Sequence, residues 1–204
     1  YNVDCDDDGT DEATGVTGDY TCDYSGLGGA GTYTVRIEDN SGAGTGFPRI
    51  YFNNGGDREK ILSVEQWGTG TWTSMNGAFY GAVNLTLNAT DAPDLSSVTD
   101  MASMFQGATN LTSTSAINSW DVSNVTNMFA LFAEGNFNED ISNWQVQNVN
   151  NPQAMFYQNP TFNQDISGWT TTSFVNMQGM FWGASSFRSE ERRVGKECRS
   201  RWSP

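Results

Sequence analysis

FNQDISGWTTTSFVNMQGMF, residues 162–181, carries its large apolar side chains at a few spaced landmarks: Phe162, Ile166, Trp169, Phe174, Met177, Met180 and Phe181. Polar residues and glycine largely fill the gaps. The same landmarks occur upstream. The final phenylalanine has counterparts at Phe79, Phe105, Phe132 and Phe156, at intervals of 26, 27, 24 and 25 residues. Twelve residues before each stands Trp67, Trp120, Trp144 or Trp169, with Pro93 taking that place in one unit. Val64, Ile117, Ile141 and Ile166 precede the tryptophans by three, and Trp72, Val98, Val125, Val149 and Phe174 precede the phenylalanines by seven. A period near 25 residues with fixed apolar columns and a tolerant edge predicts stacked coils, each too small to bury its own apolar face.

Within each unit, Met75/Ala78/Phe79, Met101/Met104/Phe105, Met128/Leu131/Phe132, Pro152/Met155/Phe156 and Met177/Met180/Phe181 have i, i+3, i+4 spacing. That spacing puts three side chains on one face of a short helical turn. Thr99, Thr126 and Asn150 stand where a helix N-cap would, and Gly81, Gly107 and Gly183 where a helix would stop. The fold class expected is therefore a repeat solenoid of β and short-helix type, with about 25 residues per coil. It would occupy residues 67–187 as about five coils, behind a connector and N-terminal cap over 46–66.

The motifs FNQDISGW, DVSNVTNMFALF and SMNGAFYGAVNLT resemble those of the BspA-like leucine-rich-repeat surface proteins, over about residues 60–187. The resemblance implies a divergent leucine-rich-repeat solenoid from a secreted or cell-surface bacterial protein. It also implies adhesion or other extracellular binding, with no enzymatic activity.

Residues 1–45 lack the period. Short β-forming runs such as YNVDC, DYTCDY and GTYTVRIED are separated by Gly, Asp and Thr. GTYTVRI after an acidic VDCDDDGT resembles a PKD-like, immunoglobulin-type domain, which implies a partial N-terminal β-sandwich segment. Cys5 and Cys22, seventeen residues apart with no histidine in the chain, fit one disulfide of an exported protein better than a zinc site. Two unpaired thiols are the other reading. In the same segment Asp4, Asp6, Asp8 and Gly9 spell D-x-D-x-D-G, followed by Thr10 and Glu12. Alternate carboxylates can converge on one hard cation, with Thr10 offering its carbonyl, so these residues form a candidate calcium loop. Gly15 stands where an EF-hand needs glutamate, which excludes that motif, and a solvated acidic turn is the plainer alternative.

Charge narrows the partners. The chain has 10 Lys and Arg against 24 Asp and Glu, and residues 188–204 alone hold six of the basic and three of the acidic ones. The remaining 4 against 21 give residues 1–187 a formal charge of −17, which repels nucleic acid and anionic membrane. No apolar run is long enough for direct membrane insertion by this fragment. The basic run RSEERRVGKECRSRWSP, residues 188–204, breaks the pattern after Phe187 and resembles the in-frame translation of a sequencing adapter. On that reading the tail is artefactual and Cys198 carries no role.

The absence of histidine closes histidine-based triads and shuttles. Asp140 and Asp165 recur at one position of the unit, where capping a local turn suits them better than paired acid–base chemistry. The column directly after the core phenylalanine reads Tyr80, Gln106, Ala133, Tyr157 and Trp182. Rigid aromatic faces at Tyr80, Tyr157 and Trp182 could meet an extracellular protein or a glycan. Packing against the neighbouring coil is the plainer reading of that column. The function expected is non-catalytic binding or adhesion outside the cell. The alternative is a structural spacer or stalk of a larger surface protein.

Overall fold

The Met-x-x-Met-Phe stretches close into turns, not helices, because residues inside them adopt a left-handed backbone. Gly77, Ser103, Ala130, Ala154 and Gly179 hold one such position, with φ of 62, 54, 52, 57 and 66°. Gly81, Gly107, Glu134, Gln158 and Gly183 hold the next, with φ between 50 and 79°. A right-handed helix cannot pass through such residues, and non-glycine residues seldom adopt the conformation. The N–H groups consequently alternate in direction. Ala78, Met104, Leu131, Met155 and Met180 each donate to the carbonyl three residues back, at 3.1–3.3 Å. The next N–H points out of the turn to the neighbouring segment: Phe79 to Met104, Phe105 to Leu131, Phe132 to Met155 and Phe156 to Met180, at 2.8–3.0 Å.

The computed structural model describes residues 1–27, 29–40, 46–113 and 115–187. Strand β1 (Asn2–Asp4) pairs antiparallel with β2 (Arg36–Glu38), with Val3 opposite Ile37. Strand β3 (Ser63–Val64) pairs parallel with β4 (Thr86–Leu87). Two 3-10 turns, Ser25–Leu27 and Ser115–Ser119, complete the regular elements.

This architecture corrects the expected fold class. Among the described residues there is no α-helix, and regular pairing is confined to two two-stranded sheets. The chain is a small globular body of side-by-side turns, not a β/short-helix solenoid of leucine-rich-repeat type. The helix caps fail for the same reason. Thr126 donates its hydroxyl to the Thr99 carbonyl, and the turns are braced by Asp100, Asn127, Asn151 and Asn176, whose side-chain oxygens accept N–H groups two residues on. Asn127 also donates to Asp100, and Asn151 to Asn127, each at 3.0 Å.

The partial PKD-like β-sandwich is corrected as well. A sandwich needs a second sheet over the apolar face of the first, and in the N-terminal segment β1 and β2 are the regular strands described. Val35 and Ile37 stay 45% and 39% exposed with no such cover. The expected artefactual tail, residues 188–204 with Cys198, lies outside the described residues.

Apolar side chains gather inside the turns. Phe79, Phe105, Phe132, Phe156 and Phe181 form one face-to-face file with centroids 5.6–5.8 Å apart. Trp67, Trp120, Trp144 and Trp169 are buried beside it. The buried indole N–H groups of Trp144 and Trp169 donate to the carbonyls of Ile117 and Ile141 at 2.8 and 3.1 Å, so neither costs an unmet donor. At the other end Tyr1 packs edge-on against Phe47, and Phe47 against Trp72, joining β1 to the core.

Candidate metal centre and exposed aromatic edge

The acidic loop begins where β1 ends. Pairing with Arg36 of β2 fixes the backbone of Asp4, and the left-handed Asp7 and Gly9 (φ 57° and 91°) turn the chain back on itself. Ala13 then bridges to Val3, bringing Glu12 alongside the loop. The disulfide Cys5–Cys22, with 5.8 Å between Cα atoms, ties the loop to the following segment. Asp4, Asp6, Asp8 and Glu12 each bring a carboxylate oxygen within 4.8 Å of all the others.

The four carboxylates have different surroundings. Asp4 is fully buried; one oxygen accepts from the Asp8 N–H at 3.3 Å, and the other accepts from the Gly9 N–H and Arg36 Nη2, both at 2.9 Å. Burial pushes its pKa up, but the hydrogen bonds from Arg36 and the loop N–H groups together outweigh this and hold the carboxyl below its ordinary value. Asp6 is shifted the opposite way. Burial, then the charges of Asp8, Glu12 and Asp4, push its pKa up despite a backbone hydrogen bond. Its Oδ1 is buried with no hydrogen-bond partner among the described residues. Asp8 accepts from the Thr10 N–H at 2.8 Å, and Glu12 from the Cys5 N–H at 2.5 Å.

Such an all-oxygen, negatively charged set can coordinate a divalent cation, which would neutralise the repulsion felt by Asp6. Asp4 serves chiefly as the clamp of the loop, while Asp6, Asp8 and Glu12 hold the freer oxygens. Thr10 enters through its N–H. Sequence spacing found the carboxylates but missed Arg36, which approaches from 32 residues away and also pairs with Asp7 and Glu38.

The second sequence-predicted site is the column after the core phenylalanines. The carbonyls of Tyr80, Gln106, Ala133, Tyr157 and Trp182 accept N–H groups from Asn54, Gly81, Gly107, Glu134 and Gln158 at 2.6–2.9 Å, which places the five in one row. Tyr157 and Trp182 are neighbours in that row, whereas Gln106 and the buried Ala133 separate them from Tyr80. Trp182 is 69% exposed, and Tyr80 and Tyr157 are half-buried. The structure adds Val175, 84% exposed, to the same end of the body. Nothing in the spacing marks Val175, since every inner Val or Phe landmark is a core residue.

The row and its turns lie within residues 73–193, which match the family described as "Mycoplasma protein of unknown function, DUF285". The chain belongs to that family. Neither a curated protein nor a solved structure matches it. Membership of DUF285, with no α-helix among the described residues, overturns the resemblance to BspA-like leucine-rich-repeat proteins expected over residues 60–187.

Proposed function

We propose that this DUF285 chain is a non-catalytic binding fragment of a secreted or cell-surface protein, with an extracellular protein or glycan as ligand. The observation that carries the reading is Trp182, a 69% exposed indole next to Tyr157 in the row. An aromatic face held by a rigid body loses little entropy on contact with a sugar ring or an apolar partner. Two features support it. A disulfide suits an oxidising compartment, and Asp140 and Asp165 each accept the N–H two residues on, at 2.9 and 3.0 Å, as turn braces. A glycan and host-protein array probed with the wild type and with a Tyr157→Ala/Trp182→Ala variant tests it. Binding lost in the variant supports the reading, and no ligand above background for the wild type removes it.

The cation of the acidic loop is calcium on this proposal. Several carboxylate oxygens gathered on one loop suit its larger coordination shell better than the strict octahedron of magnesium. A rise in melting temperature with calcium, absent in an Asp6→Asn/Asp8→Asn variant and weaker with magnesium, is expected. Equal shifts in both proteins would remove it.

A spacer that holds another domain away from the cell is the second reading. The gap that Gln106 and Ala133 leave between Tyr80 and Tyr157 favours it, because a continuous aromatic face would be of no use to a spacer.

A further inference from the structure

The two halves of the Cys5–Cys22 disulfide differ in access. Cys5 is buried, whereas Cys22 is half-buried between the exposed Thr21 and Asp23. A reducing thiolate therefore reaches the bond from the Cys22 side. The surroundings carry one sign of charge. Residues 4–23 hold eight Asp and Glu and no Lys or Arg. Asp4, Asp6, Asp8 and Glu12 crowd within 4.8 Å of one another beside Cys5, whose N–H Glu12 accepts. Arg36, the cation that reaches this group, is shared among Asp4, Asp7 and Glu38. The same field extends to the other half of the bond. Tyr24, two residues past Cys22, has its phenol pKa pushed up by burial, by Tyr33 and then by the charges of Asp6 and Glu12.

We infer that the Cys5–Cys22 disulfide is a charge-gated redox switch, opened by thiols that carry a positive group near the sulfur and closed to thiols flanked by carboxylates. The incoming thiolate attacks Cys22 Sγ. The S–S bond breaks, Cys22 is left in a mixed disulfide, and Cys5 Sγ departs with the bonding pair and takes a proton from water. A second thiolate attacks the external sulfur of the mixed disulfide and releases Cys22, so that two thiol molecules are oxidised to one external disulfide while the protein bond is reduced to two thiols. Each attack brings a negative sulfur among carboxylates. An ammonium on the same small molecule offsets that repulsion and a carboxylate adds to it, so the field sets the rate through the local concentration of the reagent. Opening removes the covalent tie next to the Glu12 contact of Cys5 and the bridge of Val3 to Ala13, and so loosens the loop. This inference goes beyond the binding reading and needs neither the aromatic row nor a bound cation.

The test uses the whole chain carrying Cys198→Ser, so that no third thiol enters the exchange, in the presence of a chelator. Three thiols of matched chain length are compared: cysteamine, 2-mercaptoethanol and 3-mercaptopropionate. Opening is followed by alkylating Cys5 and Cys22 and weighing their peptides, and each rate is divided by that of the same thiol on a small uncharged disulfide. Cysteamine should open the bond about tenfold faster than 3-mercaptopropionate at low ionic strength, with 2-mercaptoethanol between them, and about 0.5 M salt should shrink the spread to about twofold. An Asp6→Asn/Asp8→Asn variant should narrow it at low salt, and amide exchange at Val3 and Ala13 should quicken once the bond is open. Equal rates for the three thiols, a spread that neither salt nor the variant alters, no opening by any of them, or unchanged exchange after opening would each overturn the inference. The binding array reads none of these rates, so the two ideas can fail separately.

Discussion

The N-terminal loop and the stacked turns are stabilised by different physics. In the first, a disulfide, one arginine and four crowded carboxylates hold a segment whose hydrophobic contribution is small; Val3 and Cys5 are its buried apolar residues. In the second, a file of phenylalanines and buried tryptophans is laced by backbone bonds between neighbouring turns. Oxidation state, pH and cations should therefore govern the loop, while denaturant and cavity formation should govern the turns.

The largest break in this comparison comes from the core. Phe156 is fully buried between Phe132 and Phe181, and Phe156→Ala should cost about 3–5 kcal/mol through lost transfer energy and the cavity left behind. Urea melts measure it, and a loss under about 1 kcal/mol would show that the file can collapse around a gap.

Next is the disulfide. Opening a link across 17 residues should destabilise the loop by about 3 kcal/mol on the chain-entropy account. Limited proteolysis of a Cys5→Ser/Cys22→Ser variant should show cleavage within residues 5–22 while the turns resist. Cleavage spread evenly through both regions would mean that they unfold together.

The loop's pH response is smaller and has two signs. Asp6 binds its proton more tightly folded than unfolded, so its contribution falls as pH rises from the ordinary carboxylate range through its raised pKa. Asp4 has a lowered pKa, so its contribution is present above the ordinary range and disappears as pH falls through the folded value. Amide exchange at Val3 and Ala13, followed against pH, should quicken through the raised Asp6 transition, and calcium should reverse that quickening. An Asp6→Asn variant should show neither effect. Retention of both would assign them to another group.

Smallest of all is the expected effect of Trp182→Ala on stability, within about 0.5 kcal/mol, because so much of the ring is already in water. A cost well above about 1 kcal/mol would make Trp182 a packing residue and remove its aromatic face from the binding proposal.

Much of this comparison was legible in the residues. The spacing from Phe79 to Phe181 selects the side chains that stack, and the D-x-D-x-D-G stretch selects carboxylates that converge. Apolar side chains must leave water wherever they recur, and alternate acidic residues on a tight loop have little choice but to face one another. The Met-x-x-Met-Phe spacing suits a helix and a turn alike, because i, i+3, i+4 contacts are common to a helix and to the turns found here.

What separated those two outcomes was backbone handedness at Ser103, Ala130, Glu134, Ala154 and Gln158, residues with no local tendency to φ above zero. Their conformation is sustained by hydrogen bonds to segments 23–26 residues away: Ser103 to Phe129, Ala130 to Gln153, Glu134 to Tyr157, Ala154 to Gln178 and Gln158 to Trp182. Likewise Arg36 reaches Asp4 only once β1 and β2 have paired. The sequence by itself determined which side chains are apolar and which are charged, since those are properties of single residues. Tertiary structure decided the handedness of the turns and the clamp on the acidic loop, because both depend on hydrogen-bond partners far away in the chain.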